Sequence, residues 1–196
     1  MQPSTSAYPA RLSIEYPDRE LDRLSTGLRI LYLVPIFVVA CFLTASNTGA
    51  ALFVPLVLLL LFRRKYPRWW FDFNLQLSRF STRISAYAAL MSDTYPSTDE
   101  EQFVHLELDY PDASTELNRW LPLVKWFLAI PHYLALAVLS FGAMFAVFAA
   151  WFVILFTGRY PRPIFDYVEG VLRWSLRVQA YAFLLITDRY PPFSLH

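Results

Sequence analysis

Two long uncharged runs divide the chain. No Asp, Glu, Lys or Arg occurs from Ile30 to Phe62 or from Trp126 to Thr157, whereas the stretches around them are mixed. GLRILYLVPIFVVACFLTA, which leads into the first run from Arg29, and AALFVPLVLLLLF flank a turn cluster, Ser46-Asn47-Thr48-Gly49. WLPLVKWFLAIPHYLALAVLS, which leads into the second run past Lys125, and AMFAVFAAWFVILFT flank Phe141-Gly142. The pattern predicts two apolar helical hairpins, with arms over about 27–45, 49–62, 120–140 and 143–158. At 1.5 Å per residue each arm has roughly the reach of a hydrocarbon core of ~30 Å, the second being short. Pro35, Pro55 and Pro131 offer bends for a re-entrant path, but irregular backbone in lipid leaves polar groups unsatisfied, so four full spans are the expectation.

Polar positions follow other periods elsewhere. Leu12 and Ile14 alternate with Arg11, Ser13 and Glu15, and Leu106 and Leu108 alternate with His105, Glu107 and Asp109, which predicts half-buried strands over 10–16 and 103–110. After each apolar run the period changes to that of a helix, predicted over about 163–186 and 69–91. Asp166, Glu169, Arg173, Arg177 and Tyr181 fall on or beside one stripe, repeated by Asp72, Gln76, Arg79, Arg83 and Tyr87. Such a helix lies in the membrane interface or across the ends of the spans, since two arginines near the middle of a span would each cost ~2.5–3.5 kcal/mol.

These segments are two copies of one unit. GRYPRPIFDYVEGVLRWSLRVQAYAFLLITDRYPPF, from Gly158 to Phe193, has its counterpart in KYPRWWFDFNLQLSRFSTRISAYAALMSDTYP, from Lys65 to Pro96. The predicted fold is thus an all-α integral membrane protein of two tandem repeats, 1–98 and 99–196. Each repeat comprises a short extended strand, a transmembrane hairpin and a cytoplasmic amphipathic helix.

Composition agrees with membrane residence: 56% of residues are hydrophobic, 18% aromatic and only 17% charged. Arginine and lysine near span ends favour the cytoplasmic side. Arg11, Arg19, Arg23, Arg29, Arg63, Arg64, Lys65, Arg68, Arg119, Lys125, Arg159 and Arg162 all flank the hairpins away from their uncharged tips. Both termini and both repeat tails are therefore expected on the cytoplasmic side. Cys41 is the single cysteine, which excludes an internal disulfide and a cysteine metal cluster. The N-terminus lacks the pattern of a cleaved signal peptide.

Few residues carry candidate chemistry. His132 is an ionisable group inside an apolar segment, with Ile36 at its place in the first copy, and a neutral, hydrogen-bonded His is preferred to a functional one. No metal-ligand spacing, nucleophile elbow or phosphate loop occurs, so no cofactor, metal or catalytic residue is expected. Arg79 with Arg83, and Arg173 with Arg177, are four apart and present paired guanidinium groups suited to a lipid phosphate or a partner, with Tyr87 and Tyr181 beside them. The competing use is internal pairing with Asp72, Asp166, Glu169 or Asp188. The Tyr-Pro pairs, at element boundaries, read as anchors whose tyrosines suit the interfacial layer.

IPHY, FTGRYPR, VLRWSLRVQAY and TDRYPPFSL together resemble a bacterial multi-pass membrane family of uncharacterised function, domain of unknown function 4389, over nearly the whole chain. The first half departs from it at Phe62-Arg63-Arg64-Lys65, at Phe80 and at Ser97. The resemblance implies a small multi-pass membrane protein and supplies no activity. The expected function is a non-enzymatic inner-membrane accessory or scaffold subunit docking on a membrane-protein partner, on a second copy of itself or on anionic lipid, with no nucleic-acid role. The alternatives are a small oligomeric transporter or channel and, after it, a lipid-modifying enzyme.

Overall fold

The computed structural model describes residues 8–45, 50–98, 100 and 102–195. The elements in order are β1 (Ala10–Ile14), α1 (Arg23–Gly27), α2 (Arg29–Ala45), α3 (Ala50–Leu58), α4 (Arg68–Ala88), β2 (Val104–Leu108), α5 (Lys125–Leu128), α6 (Ile130–Thr157) and α7 (Arg162–Ala182). A π-helical turn, Leu59–Arg63, extends α3, and a 3-10 turn, Leu121–Leu123, precedes α5.

The strands form an antiparallel two-stranded ribbon in which Leu12 faces Leu106. Ala10, Leu12 and Ile14 on one strand and Val104, Leu106 and Leu108 on the other point inward, while the residues between them face solvent. A lone ribbon is marginal in water, so its apolar face needs a support. Helices α4 and α7 provide it. Arg79 Nε donates to the Leu106 carbonyl at 3.0 Å, and Arg173 Nε donates to the Leu12 carbonyl at 2.9 Å. Each strand therefore lies on the amphipathic helix of the other repeat, and a pseudo-two-fold axis passes by the Leu12–Leu106 pair.

On their far faces the amphipathic helices carry the apolar ones. Ile36 of α2 packs with Phe80 and Ile84 of α4, and α6 meets α7 through Tyr167, whose hydroxyl donates to the Leu139 carbonyl at 2.8 Å. The molecule is layered as ribbon, amphipathic pair and apolar pair. The main core, including Leu12, Leu106, Phe71, Phe165, Leu56 and Leu60, lies where the repeats meet.

Local chemistry sets the boundaries. Asp22 caps α1 by accepting from the Leu24 and Ser25 amides at 3.0 and 3.3 Å. Pro67 and Pro161, in extended conformation, precede α4 and α7. Gly158 ends α6 at a φ of 74°, a conformation that costs glycine little.

The expectation of four spans is corrected. Among the described residues one helix, Ile130–Thr157, is long and apolar enough to cross a membrane. The turn expected at Phe141-Gly142 is absent because α6 runs straight through it. Gly142 is a packing notch rather than a breaker: a Cβ there would lie 2.8 Å from the Tyr167 hydroxyl oxygen. In the first repeat the apolar helices Arg29–Leu43 and Val54–Arg63 are both too short to qualify, and the latter loses regularity in its π-helical turn. The predicted turn Ser46–Gly49 falls outside the described residues. The amphipathic helices also differ in setting from interfacial helices, each carrying a ribbon strand on one face and an apolar helix on another.

Candidate functional site

The most ordered polar chemistry is a buried cation clasp present once in each repeat. In the first, Arg29 at the start of α2 donates through Nη1 to the Ser92 carbonyl at 2.6 Å and through Nη2 to Asp93 at 2.7 Å, with its guanidinium 4.0 Å from the Tyr87 ring centre. In the second, Lys125 at the start of α5 donates to the Thr187 carbonyl at 2.7 Å, pairs with Asp188 at 2.6 Å and lies 5.3 Å from the Tyr181 ring centre. The other Asp93 oxygen accepts from the Asp22 amide at 2.7 Å, and Asp188 accepts likewise from the Asn118 amide.

Backbone geometry brings the carboxylates into place. Leu90 and Leu185, just beyond α4 and α7, have φ of 66° and 57° and are buried. A left-handed leucine costs roughly 1–2 kcal/mol, tolerated here because the reversed chain delivers the carbonyl and the carboxylate to the cation. Lys125 is fully buried, and burial pushes its pKa below the usual lysine value, opposed by Asp188. The clasps join the root of each apolar segment to the end of the amphipathic helix beneath it.

The sequence-selected arginines turn toward the ribbon. Besides its bond to Leu12, Arg173 donates to Glu169 at 2.5 Å and to the Leu195 carbonyl at 3.1 Å, and Arg177 donates to the Ser194 carbonyl at 3.4 Å. Glu169 also accepts from the Ile14 amide at 3.2 Å, which ties β1 to α7 a second time. Arg83 donates to the Ser97 carbonyl at 2.9 Å. Asp72 and Asp166 pair at the surface with Arg68 and Arg162, at 3.5 and 3.4 Å. A small open pocket of about 70 Å³ lies between α4 and β2, lined by Arg79, Arg83, Val104, His105, Leu106 and Glu107.

His132 is fully buried at the junction of α6 and α7. Its Nδ1 accepts from Trp174 Nε1 at 3.1 Å, and its ring stacks on Phe193 at 4.0 Å. The first repeat fills the same place with Ile36 and Phe80. Sequence reasoning passed over Arg29, Lys125 and Asp93, treating the two cations as flanking charges. The available signal was their repetition: each apolar segment is preceded by a cation, and each tail carries an aspartate just before Tyr-Pro.

Four of the Tyr-Pro tyrosines, Tyr16, Tyr66, Tyr110 and Tyr160, tie the two repeats together through their hydroxyls. Tyr66 donates to the Leu184 carbonyl at 2.5 Å and Tyr160 to the Ala89 carbonyl at 3.1 Å, each reaching into the other repeat. Tyr16 donates to the Tyr160 carbonyl at 2.5 Å, and Tyr110 to the Tyr66 carbonyl at 2.6 Å. Burial pushes the Tyr66 and Tyr160 hydroxyls above the usual tyrosine range.

A family model described as Domain of unknown function (DUF4389) matches residues 23–98 and again 120–194. The chain belongs to this family. Its two family units are the two repeats that carry the clasps, and the strands that exchange between them precede the matched segments. No curated protein and no solved structure matches the chain.

Proposed function

We propose that this DUF4389 chain is a non-enzymatic accessory or scaffold subunit of the bacterial inner membrane, with α6 seated in the bilayer and the ribbon layer turned to the cytoplasm. One observation carries the reading: the free face of α6 is an uninterrupted apolar stripe. Leu134, Val138, Phe141, Phe145, Phe148, Phe152 and Phe156 recur along it, with Phe141 at 62%, Phe148 at 61% and Phe156 at 78% exposure. The helix carries no charge over 28 residues, or ~42 Å at 1.5 Å each, longer than a hydrocarbon core of ~30 Å. A stripe of that extent is untenable in water and normal against lipid or a membrane partner. Leu31, Phe37 and Phe42 extend apolar exposure over α2.

The scaffold reading follows from where polar groups lie. The buried cations engage main-chain carbonyls and carboxylates of the fold itself, an arrangement suited to rigidity. The test is flotation of the full chain with lipid vesicles, followed by alkaline extraction. The wild type stays with the vesicles, and Phe145→Lys, placing a charge costing about 2.5–3.5 kcal/mol at the middle of α6, is extracted. A wild type recovered as a detergent-free monomer in water would sink the membrane reading. Recovery from native membranes always as a lone species would sink the scaffold reading.

A further inference from the structure

The apolar segments of the two repeats end in unlike corners. Tyr66-Pro67-Arg68 after the π-helical turn and Tyr160-Pro161-Arg162 after α6 are the same motif, so Arg64 stands at the place of Gly158 and Lys65 at that of Arg159. Gly158 and Arg64 both take the left-handed conformation, with φ of 74° and 50°. Glycine does so freely, whereas any side chain makes it costly. Leu90 and Leu185 bear the same cost with buried side chains that belong to the core. Arg64 is exposed, and among the described residues it has neither an ion pair nor a side-chain hydrogen bond. Nothing within the fold accounts for a side chain at that position.

The corner after α6 is neutralised by the other repeat. The Leu21 amide donates to the Gly158 carbonyl at 2.8 Å, and Glu20 lies 4.0 Å from Arg159. The corner of the first repeat receives the opposite charge. Glu116 precedes Lys125 by the interval that separates Glu20 from Arg29, but it turns to accept from the Asp112 amide at 3.3 Å. Arg119 arrives instead, its Nε donating to the Leu61 carbonyl on the turn that carries Phe62 and Arg63. That carbonyl is among those a helix end leaves without an intrahelical partner. Anchored through Nε, with its guanidinium 5.8 Å from the Trp120 ring centre, Arg119 keeps its Nη groups for an outside acceptor. Arg63, Arg64, Lys65 and Arg119 are all exposed, and among the described residues none has a carboxylate partner, whereas Arg68 pairs with Asp72. Exposed aromatic side chains stand close to them in the chain: Phe62, Trp69 and Trp120.

We infer that this corner binds the headgroup phosphate of an anionic phospholipid, with Arg64 and Arg119 holding the phosphate and Arg63 and Lys65 adding charge. A guanidinium fork matches phosphate geometry, and cations without counter-ions gain from an anionic membrane surface. Exposed tryptophans beside such cations suit the headgroup layer, where an aromatic body meets lipid and its polar edge meets water. Arg119 and Trp120 lead through α5 into α6, so the corner stands before the start of the helix that the proposed function seats in the bilayer. The lipid as the source of the phosphate rests on that reading. The strained Arg64 then has a use outside the molecule, and the glycine of the other repeat marks the corner that lacks it.

The test is energy transfer from tryptophan to dansyl-labelled phosphatidylglycerol on the full chain in neutral detergent micelles, with unlabelled dioctanoyl lipids as competitors. Phosphatidylglycerol displaces the probe, and about tenfold more phosphatidylcholine is needed to do the same. Arg64→Gly and Arg119→Gln each weaken binding about fivefold, the worth of one cation near an anionic surface. Arg159→Gln, at the neutralised corner, leaves it unchanged. Arg64→Gly also raises the thermal unfolding midpoint, since glycine adopts the left-handed turn freely. The inference is overturned if phosphatidylcholine competes equally, if Arg64→Gly binds as the wild type or lowers the midpoint, or if inorganic phosphate displaces the probe at the lipid's concentration, which would mark a free-anion site. Should Arg119→Gln fail to fold, Arg64→Gly decides alone. Failed flotation with an intact headgroup preference defeats only the membrane seating, and intact flotation without the preference defeats only this site.

Discussion

Leu12 and Leu106 face each other in the ribbon, and each gives its carbonyl to the arginine of the opposite repeat, Arg173 and Arg79. The exchange makes neither repeat complete alone, since the apolar face of each strand is covered by the helix that belongs to the other. Tyr66 and Tyr160 cross in the same way. Stability is therefore concentrated between the repeats, and mutations at the cross-ties and clasps report on the whole molecule.

The two clasps differ in a way that predicts unequal costs. Asp93→Ala strands the Arg29 guanidinium in a buried site, and removing one member of a buried ion pair costs about 3–5 kcal/mol. Arginine cannot lose its proton to escape. Lys125 can, because burial has already pushed its pKa down. Asp188→Ala therefore destabilises less than Asp93→Ala. Denaturant titration of both variants in one detergent checks this, and equal losses would contradict it.

Alkaline pH acts through the tyrosine cross-ties. Burial is the largest cause holding Tyr8, Tyr66 and Tyr160 above the ordinary tyrosine pKa. In the unfolded chain they ionise near pH 10, whereas in the folded chain they keep their protons to higher pH. Their contribution is thus fully present below about pH 10 and is lost as pH rises toward the folded values. Lys125 acts in the opposite direction, gaining stability as pH rises toward its unfolded value, so the comparison must keep it in place. Tyr160→Phe is expected to lose about 1 kcal/mol at neutral pH, through its missing bond to Ala89, and to show a shallower alkaline decline. Unfolding midpoints across about pH 9–11 measure both, and an unchanged alkaline slope would remove Tyr160 from the account.

Gly142 and Tyr167 make a pair whose contributions can be separated. In the wild type, Gly142→Ala pushes against the Tyr167 hydroxyl and breaks its bond to the Leu139 carbonyl, which costs about 1 kcal/mol. In a Tyr167→Phe background the obstructing oxygen is gone, and Ala gains its helix advantage of roughly 0.5–1 kcal/mol over Gly. The same helix gain applies in the wild type, where the lost bond offsets it, so Gly142→Ala is close to neutral in the first background and stabilises the second. A double-mutant cycle by thermal unfolding reads this directly, and additive effects would refute the coupling.

The tandem repeat was legible because equal contacts require equal side chains: Tyr66 and Tyr160, Arg79 and Arg173, and Tyr87 and Tyr181 each do the same work twice. The exchange of strands was not legible, since the alternation at Leu12 and Leu106 fixes which face is apolar but not which helix covers it. Gly142 was misread because the same glycine signals a turn or a packing notch, and Tyr167, distant in sequence, decides between them. Arg29 and Lys125 were passed over for a similar reason. A cation before an apolar run looks the same whether water solvates it or Asp93 and Asp188 fold back onto it.

The junction of α6 and α7 offers the sharpest test of the internal symmetry. Where the second repeat has His132 bonded to Trp174, the first has the apolar pair Ile36 and Phe80. Trp174→Phe alone removes the donor and leaves the His132 Nδ1 acceptor buried without it, a loss of about 1–3 kcal/mol. Adding His132→Ile replaces both polar partners by the apolar pair the other repeat already packs at that place, and exchanging both partners of a buried hydrogen bond is close to neutral. The double variant is therefore expected to recover most of what Trp174→Phe loses. Ring contacts of His132 with Phe193 and Tyr190 set the limit on that recovery. Equilibrium unfolding of the wild type and the two variants in the same micelles gives the comparison. A double variant less stable than Trp174→Phe would mean that the second repeat needs a polar group at this junction, and that the two repeats differ there in function as well as in packing.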